Sequence, residues 1–344
     1  MIELKSVELV FTFPEVHPQA KLRICFQRTL RIPDDGNNYP LPPGLGPFPL
    51  RHVDDFAASV PPHWLKRGGV MLPMYQSEAM WLKFDSGIIA GNDAEYPFAI
   101  KIAAGKQCAV SGQPWQEGLR RKPQDYLVAP GQPWLDGFSV GKGVIRQFVA
   151  MPLGSGYTAE EQITGEAEFG GLQIAAYPMK RDVFERRFPK SANQKARCKR
   201  RSADLSMDFC MAAPDMGLAP GGSMRQEIYD DPYDFEDWDL GSTSRCFVHL
   251  CNSLVWQSIT DTPPPQPAPT AKRYSKAGLP WFDYYDDSQI ALEGSEVLAQ
   301  LKSVAQMSAE KGDVVLPENG SATPEKIIEY RKGLRQGQVR EGQF

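Results

Sequence analysis

The chain has 344 residues, a formal net charge of −4 and a sequence pI near 5.7, so it is no general polyanion binder. Hydrophobic residues make up 42% and charged residues 23%, which excludes wholesale disorder. Thirty Gly and thirty Pro exclude a long-helix bundle and imply many turns between short elements.

The N-terminus, Met1-Ile-Glu-Leu-Lys-Ser-Val-Glu8, has neither the basic start nor the apolar stretch of a signal peptide. No run approaches the roughly eighteen apolar residues of a spanning helix. Cysteines 25, 108, 198, 210, 246 and 251 have no paired spacing. The expectation is therefore a soluble, cytoplasmic protein with reduced thiols.

In chain order, Glu3–Phe13 and Lys21–Pro33 are rich in β-formers and predict a hairpin. The alternation of Leu22, Ile24 and Phe26 slips near Gln27–Arg28, as a β-bulge would make it. Pro33–Pro62 is dense in proline and predicts an ordered strap, because its missing N–H groups forbid a central strand. From Trp64 to Tyr177, short apolar runs recur between Gly and Pro signals, the spacing of a barrel or sandwich. Thr158-Ala-Glu-Glu161 is a capping box opening a short helix that Gly165 would end. Gly112-Gln-Pro-Trp-Gln-Glu-Gly118 is echoed by Gly131-Gln-Pro-Trp-Leu-Asp-Gly137, which reads as one turn used twice with its Trp packed beneath.

Met179–Phe188 predicts a helical piece. Lys180–Arg201 then holds ten bases and two acids, and Glu227–Asp239 holds seven acids and no base. Between them, Met207–Met224 reads as loop. Ser242–Thr260 predicts a helix with Val248, Cys251, Val255 and Ile259 at helical spacing, with a β reading of Arg245–Leu250 kept open. Thr262–Thr270 is a polyproline strap. Gly294–Glu310 predicts a helix, and Thr323-Pro-Glu-Lys predicts the start of another.

The fold class is thus α+β: a β-rich barrel or sandwich body over 1–178, a charged connector over 179–241 and a helical part over 242–344 carrying the strap 262–270. Wrapping into one merged domain is the alternative.

Candidate chemistry is sparse, and no motif of high specificity appears. Cys246-Phe-Val-His249-Leu-Cys251 is the most metal-like group, yet neither a helix nor a strand brings three of its ligands to one face. Asp237 and Asp239 offer oxygen ligands but miss the calcium-loop pattern. Lys101, alternating with Phe98, Ile100 and Ile102, would become a nucleophile or base if its face were closed. On a helical reading Arg245, His249 and Trp256 share a stripe suited to an anion. Lys195–Arg201 supplies phosphate-binding charge without interleaved aromatics.

Two functional expectations follow. The first is a non-catalytic binding or assembly protein, with a protein partner or a second copy, because Trp281, Phe282, Tyr284 and Tyr285 suit an interface. The second is an enzyme acting on a small anionic substrate through Lys101, Arg146, Arg245 and His249. No cofactor is specified by the sequence, and neither membrane nor nucleic-acid binding is expected.

Overall fold

The computed structural model describes residues 1–190, 215–314 and 320–332. Its centre is a 17-stranded, mainly antiparallel sheet. The principal strands run, side by side, through Ile2–Lys5, Glu8–Thr12, Lys21–Thr29, Ala79–Asp85, Val144–Pro152, Asp215–Arg225, Ser244–Asn252, Leu172–Pro178 and Phe98–Ala104. The sheet curls until its two ends share a core. Phe13 sits 5.7 Å from Phe98, and Leu9, Phe11, Leu22 and Ile24 join Ile100, Ile102, Ile174 and Val248 in one cluster. Each large side chain closed off in this way contributes roughly 1.5–3 kcal/mol.

The outer face is covered in two places. Helices Pro62–Arg67 and Ser253–Thr260 bury Val53, Trp64, Met71, Cys251 and Trp256 against it. Helix Val304–Lys311, with Tyr157, covers Ala79, Val149, Met151 and Ala219. The β-rich α+β class expected from the sequence is the one observed. No helix among the described residues is long and apolar enough to cross a membrane.

Several local expectations hold. The hairpin forms between Glu8–Thr12 and Lys21–Cys25. A register shift falls between Gln27 and Thr29, where Lys21–Thr29 pairs with Gly44–Pro47. The Thr158/Glu161 capping box is complete, and Gly165 closes its helix at φ 75°. Arg181–Arg187 is helical. The proline strap is ordered, with Leu41, Phe48 and Leu50 buried.

Others give way to the sheet. Arg245–Leu250 is strand, inside Ser244–Asn252, and the helix begins only at Ser253. Cys246, Val248 and Leu250 face the core while Cys251 meets the outer cluster, so both faces are apolar and the period-two contrast disappears. Residues 215–224 are also strand rather than loop. Their glycines allow close approach: a Cβ on Gly217 would lie 2.7 Å from Thr158 Cγ2, and one on Gly222 would strike the Pro33 carbonyl. A register shift opposite Arg146–Phe148 absorbs the Pro220–Gly222 run. The sheet therefore runs on beyond residue 178.

The predicted 294–310 helix is two, Glu296–Ala299 and Val304–Lys311, because Ser303 caps the second. After Thr323 the chain is extended and forms strand Ile327–Lys332, parallel to Trp281–Asp286. The echoed turns also differ, with Gly112 at φ 70° and Gly131 outside the left-handed region. The basic run Lys195–Arg201 lies outside the described residues.

Candidate functional site

The candidates picked out in the sequence do not meet in one cavity. Lys101 and Arg245 share a row across three strands, each opposite Ala175. The segment Trp115–Gly118 roofs that row. Lys101 Nζ donates to the carbonyls of Gln116 at 2.8 Å and Gly118 at 3.0 Å, and pairs with Asp125 at 2.7 Å. All three ammonium protons are engaged in a site only 1% exposed, leaving no lone pair for nucleophilic attack. Arg245 pairs with the exposed Glu117.

His249 lies farther along the same strand, stacked between Trp64 at 4.6 Å and Phe247 at 4.4 Å, with Nε2 3.0 Å from the Gly68 carbonyl. Burial pushes its pKa down to about 3, so it is a neutral packing residue at physiological pH. Trp256 is fully buried beneath the outer helices. Arg146 is elsewhere, opposite Phe138 and Ser223, and donates to the Leu301 carbonyl.

The metal candidates are similarly dispersed. Cys246 belongs to the core cluster, and burial raises its thiol pKa to about 12. Asp237 accepts from Arg187 at 2.7 Å, and Asp239 accepts from the amides of Gly241 and Ser242. Among the described residues, no three His, Cys, Asp or Glu are grouped to hold a metal.

A different site is assembled from five distant stretches of chain. Trp81, Trp134, Phe282, Tyr284 and Tyr330, with Leu41, Pro42, Pro43 and Gly44, line a cleft of about 320 Å³ that has Asp136 in its wall. Each side follows from local structure. Trp81 alternates out of strand Ala79–Asp85 between the core residues Met80 and Leu82. Trp134 is opposite Lys83 in the next strand, and Asp136, in the link between strands Trp134–Leu135 and Gly137–Gly141, lines the same cleft. The proline strap is pinned to strand Trp281–Asp286 by two backbone bonds between Leu41 and Phe282, at 2.7 and 2.9 Å. Arg225 fixes that strand from behind through a bidentate pair with buried Asp283, at 3.0 and 2.9 Å.

The rings are arranged edge to face and in stacks. Trp81 and Trp134 are 6.3 Å apart, Trp134 and Tyr284 4.8 Å, and Phe282 stacks on Tyr330 at 6.0 Å. Gly44 lets the strap lie against Trp81, since a Cβ there would be 3.2 Å from Cζ2. Asp136 is 97% buried, by its 3% exposure. Its backbone N–H donates to Gln226 Oε1 at 3.1 Å, and its Oδ1 accepts from Gln226 Nε2 at 2.8 Å. No described Lys, Arg or His pairs with it. Burial raises its pKa to about 7 against the opposing Gln226 hydrogen bond.

Sequence reasoning found only part of this cleft. Phe282 and Tyr284 stood out as interface aromatics, and Trp134 as part of an echo. Asp136 and Trp81 did not stand out, although Trp-x-acid occurs in both echo copies. Trp281, expected at a surface, is instead fully buried, its indole N–H donating to Ser275 at 3.0 Å.

Compared with known proteins, the chain matches no family model, no curated protein and no solved structure.

Proposed function

We propose that this chain is a non-catalytic binding protein, working in the cytoplasm, that captures a small ligand in the aromatic cleft around Asp136. The observation that carries the reading is the convergence of Trp81, Trp134, Phe282, Tyr284 and Tyr330 on one concave surface with one carboxylate among its described lining residues, Asp136. Ligand pockets have that composition: apolar walls for affinity and a few fixed polar atoms for orientation. Among the described lining residues Asp136 has no nucleophile or second titrating carboxylate, His or Lys beside it, which suits holding a molecule rather than changing it. The cytoplasmic part rests on the four described cysteines, all buried and unpaired.

The alternative, an enzyme using Lys101, Arg146, Arg245 and His249, draws little support from their positions. Lys101 is closed into its own network, His249 is stacked in a separate cluster, and Arg146 lies on other strands.

A panel of small aliphatic, aromatic and amine compounds, screened by ligand-observed NMR, tests the binding reading. Binders are expected whose signals are lost with Tyr284→Ala while circular dichroism stays unchanged. A panel with no binder sensitive to Tyr284→Ala would overturn it.

A further inference from the structure

Building on that reading of the cleft, we infer that its ligand class is small organic ammonium ions, held by the aromatic rings with Asp136 as counter-ion. Three observations lead there. The first is the absence of any described cation beside a carboxylate that is nearly inaccessible, as set out above. A buried carboxylate is normally paired, so a cationic guest completes what the described residues leave open. The second is the ring set: Trp81, Trp134, Phe282, Tyr284 and Tyr330 present π-systems to one space, and ammonium groups are attracted to the electron-rich faces of such rings.

The third is internal. Both copies of the echo place an acid two residues after a Trp. In the first copy, Trp115 lies 5.3 Å from the Lys101 ammonium and Glu117 pairs with Arg245, so ring and acid each hold a cation of the protein. In the second copy, Trp134 and Asp136 line the cleft, where the described residues supply none. The same pairing of aromatic and carboxylate thus meets a resident cation at one site and an open volume at the other.

The charge state of Asp136 is set by few neighbours. Gln226 is neutral, and burial raises the pKa of the Tyr284 phenol, keeping it uncharged near pH 7. Arg225 is taken by Asp283 and Arg146 by the Leu301 carbonyl. Lys83, across the strand from Trp134, is solvent-exposed. Because the carboxyl titrates at about 7, an ammonium competes with a proton there, and its affinity rises with pH and levels off above neutrality.

The test compares choline with its uncharged carbon isostere, 3,3-dimethylbutan-1-ol, titrated into the full chain and followed by tryptophan fluorescence and ligand-observed NMR. Choline is expected to bind about tenfold more tightly at pH 8 than the alcohol, and about tenfold more tightly at pH 8 than at pH 6. The alcohol is expected to show no such rise. Asp136→Asn should remove the preference for choline and leave the alcohol unchanged. Equal binding of the two compounds, or binding of the alcohol alone, would overturn the ammonium assignment while leaving the cleft as a binding site. Failure of both to bind at up to high millimolar concentration would overturn the cleft reading as well. The wild-type pH profile decides the matter even if Asp136→Asn does not fold.

Discussion

Single residues here are mostly governed by how their polar atoms are satisfied after burial. His249 shows this in titratable form. Its pKa is about 3 in the fold, against an ordinary 6.5 when unfolded, because imidazolium has no solvation between Trp64 and Phe247. The unfolded chain therefore binds more protons between pH 6.5 and 3, so stability is lost as pH falls through that window. From pH 7 to 5 this group alone is expected to remove about 2 kcal/mol. His249→Phe keeps the ring stacking but has no titrating group, so its urea-denaturation stability should fall less over the same range. Parallel pH dependence in the two proteins would refute this account. Lys101 is the contrasting case: it is equally buried but fully partnered by Asp125 and two carbonyls, so its charge is part of the architecture.

At the scale of elements, short helices and loops are tied to the sheet by carboxylates accepting from backbone amides. Glu160, on the helix Ala159–Thr164, takes the N–H groups of Glu168, Phe169 and Gly170 at 3.0, 2.7 and 2.7 Å. Gly105 turns beneath it at φ 55°, and a Cβ there would collide with the Glu160 side chain. That cradle holds the turn leading into strand Leu172–Pro178. Glu160→Ala should cost about 1–3 kcal/mol, since the buried amide of Gly170 and the part-buried amides of Glu168 and Phe169 lose their acceptor. It should also speed hydrogen exchange at residues 168–170 by orders of magnitude more than in strand Phe98–Ala104. Uniform acceleration across both would point to global destabilisation instead.

The elements also show where local sequence logic stops. The capping box at Thr158, the cap at Gly165 and the bulge near Gln27 are fixed by neighbours in sequence, and each appears where its residues place it. Ser244–Asn252 and Asp215–Arg225 are decided by packing on both faces. An eleven-residue run with three glycines and a proline becomes strand because Thr158, Val149 and Pro33 press too closely for side chains.

Across the whole molecule, the cleft depends on the C-terminal strands being held against the strap and the sheet. The bidentate Arg225–Asp283 pair supplies that hold, with Asp283 only 7% exposed. Arg225→Met leaves a buried carboxylate unpaired and should destabilise by about 3–5 kcal/mol in urea titration. It should also release the Trp281–Asp286 strand, so that limited proteolysis cuts near residues 276–290 before the central sheet unfolds. Proteolysis unchanged from wild type would show that the Leu41–Phe282 backbone bonds suffice.

Composition, spacing and turn chemistry determined the class of this protein: its β-rich character, its proline straps, its caps and its bulge are consequences of backbone freedom acting over a few residues. The sequence also carried the Trp-x-acid echo, without revealing which copy was occupied. Only the tertiary structure decided that, because Lys101 and Arg245 come to the first copy across three strands, while Phe282, Tyr284 and Tyr330 come to the second from more than 140 residues away. Asp136 is an ordinary aspartate by its neighbours in sequence; withdrawal from water makes it distinctive, and water is excluded by the whole fold acting together.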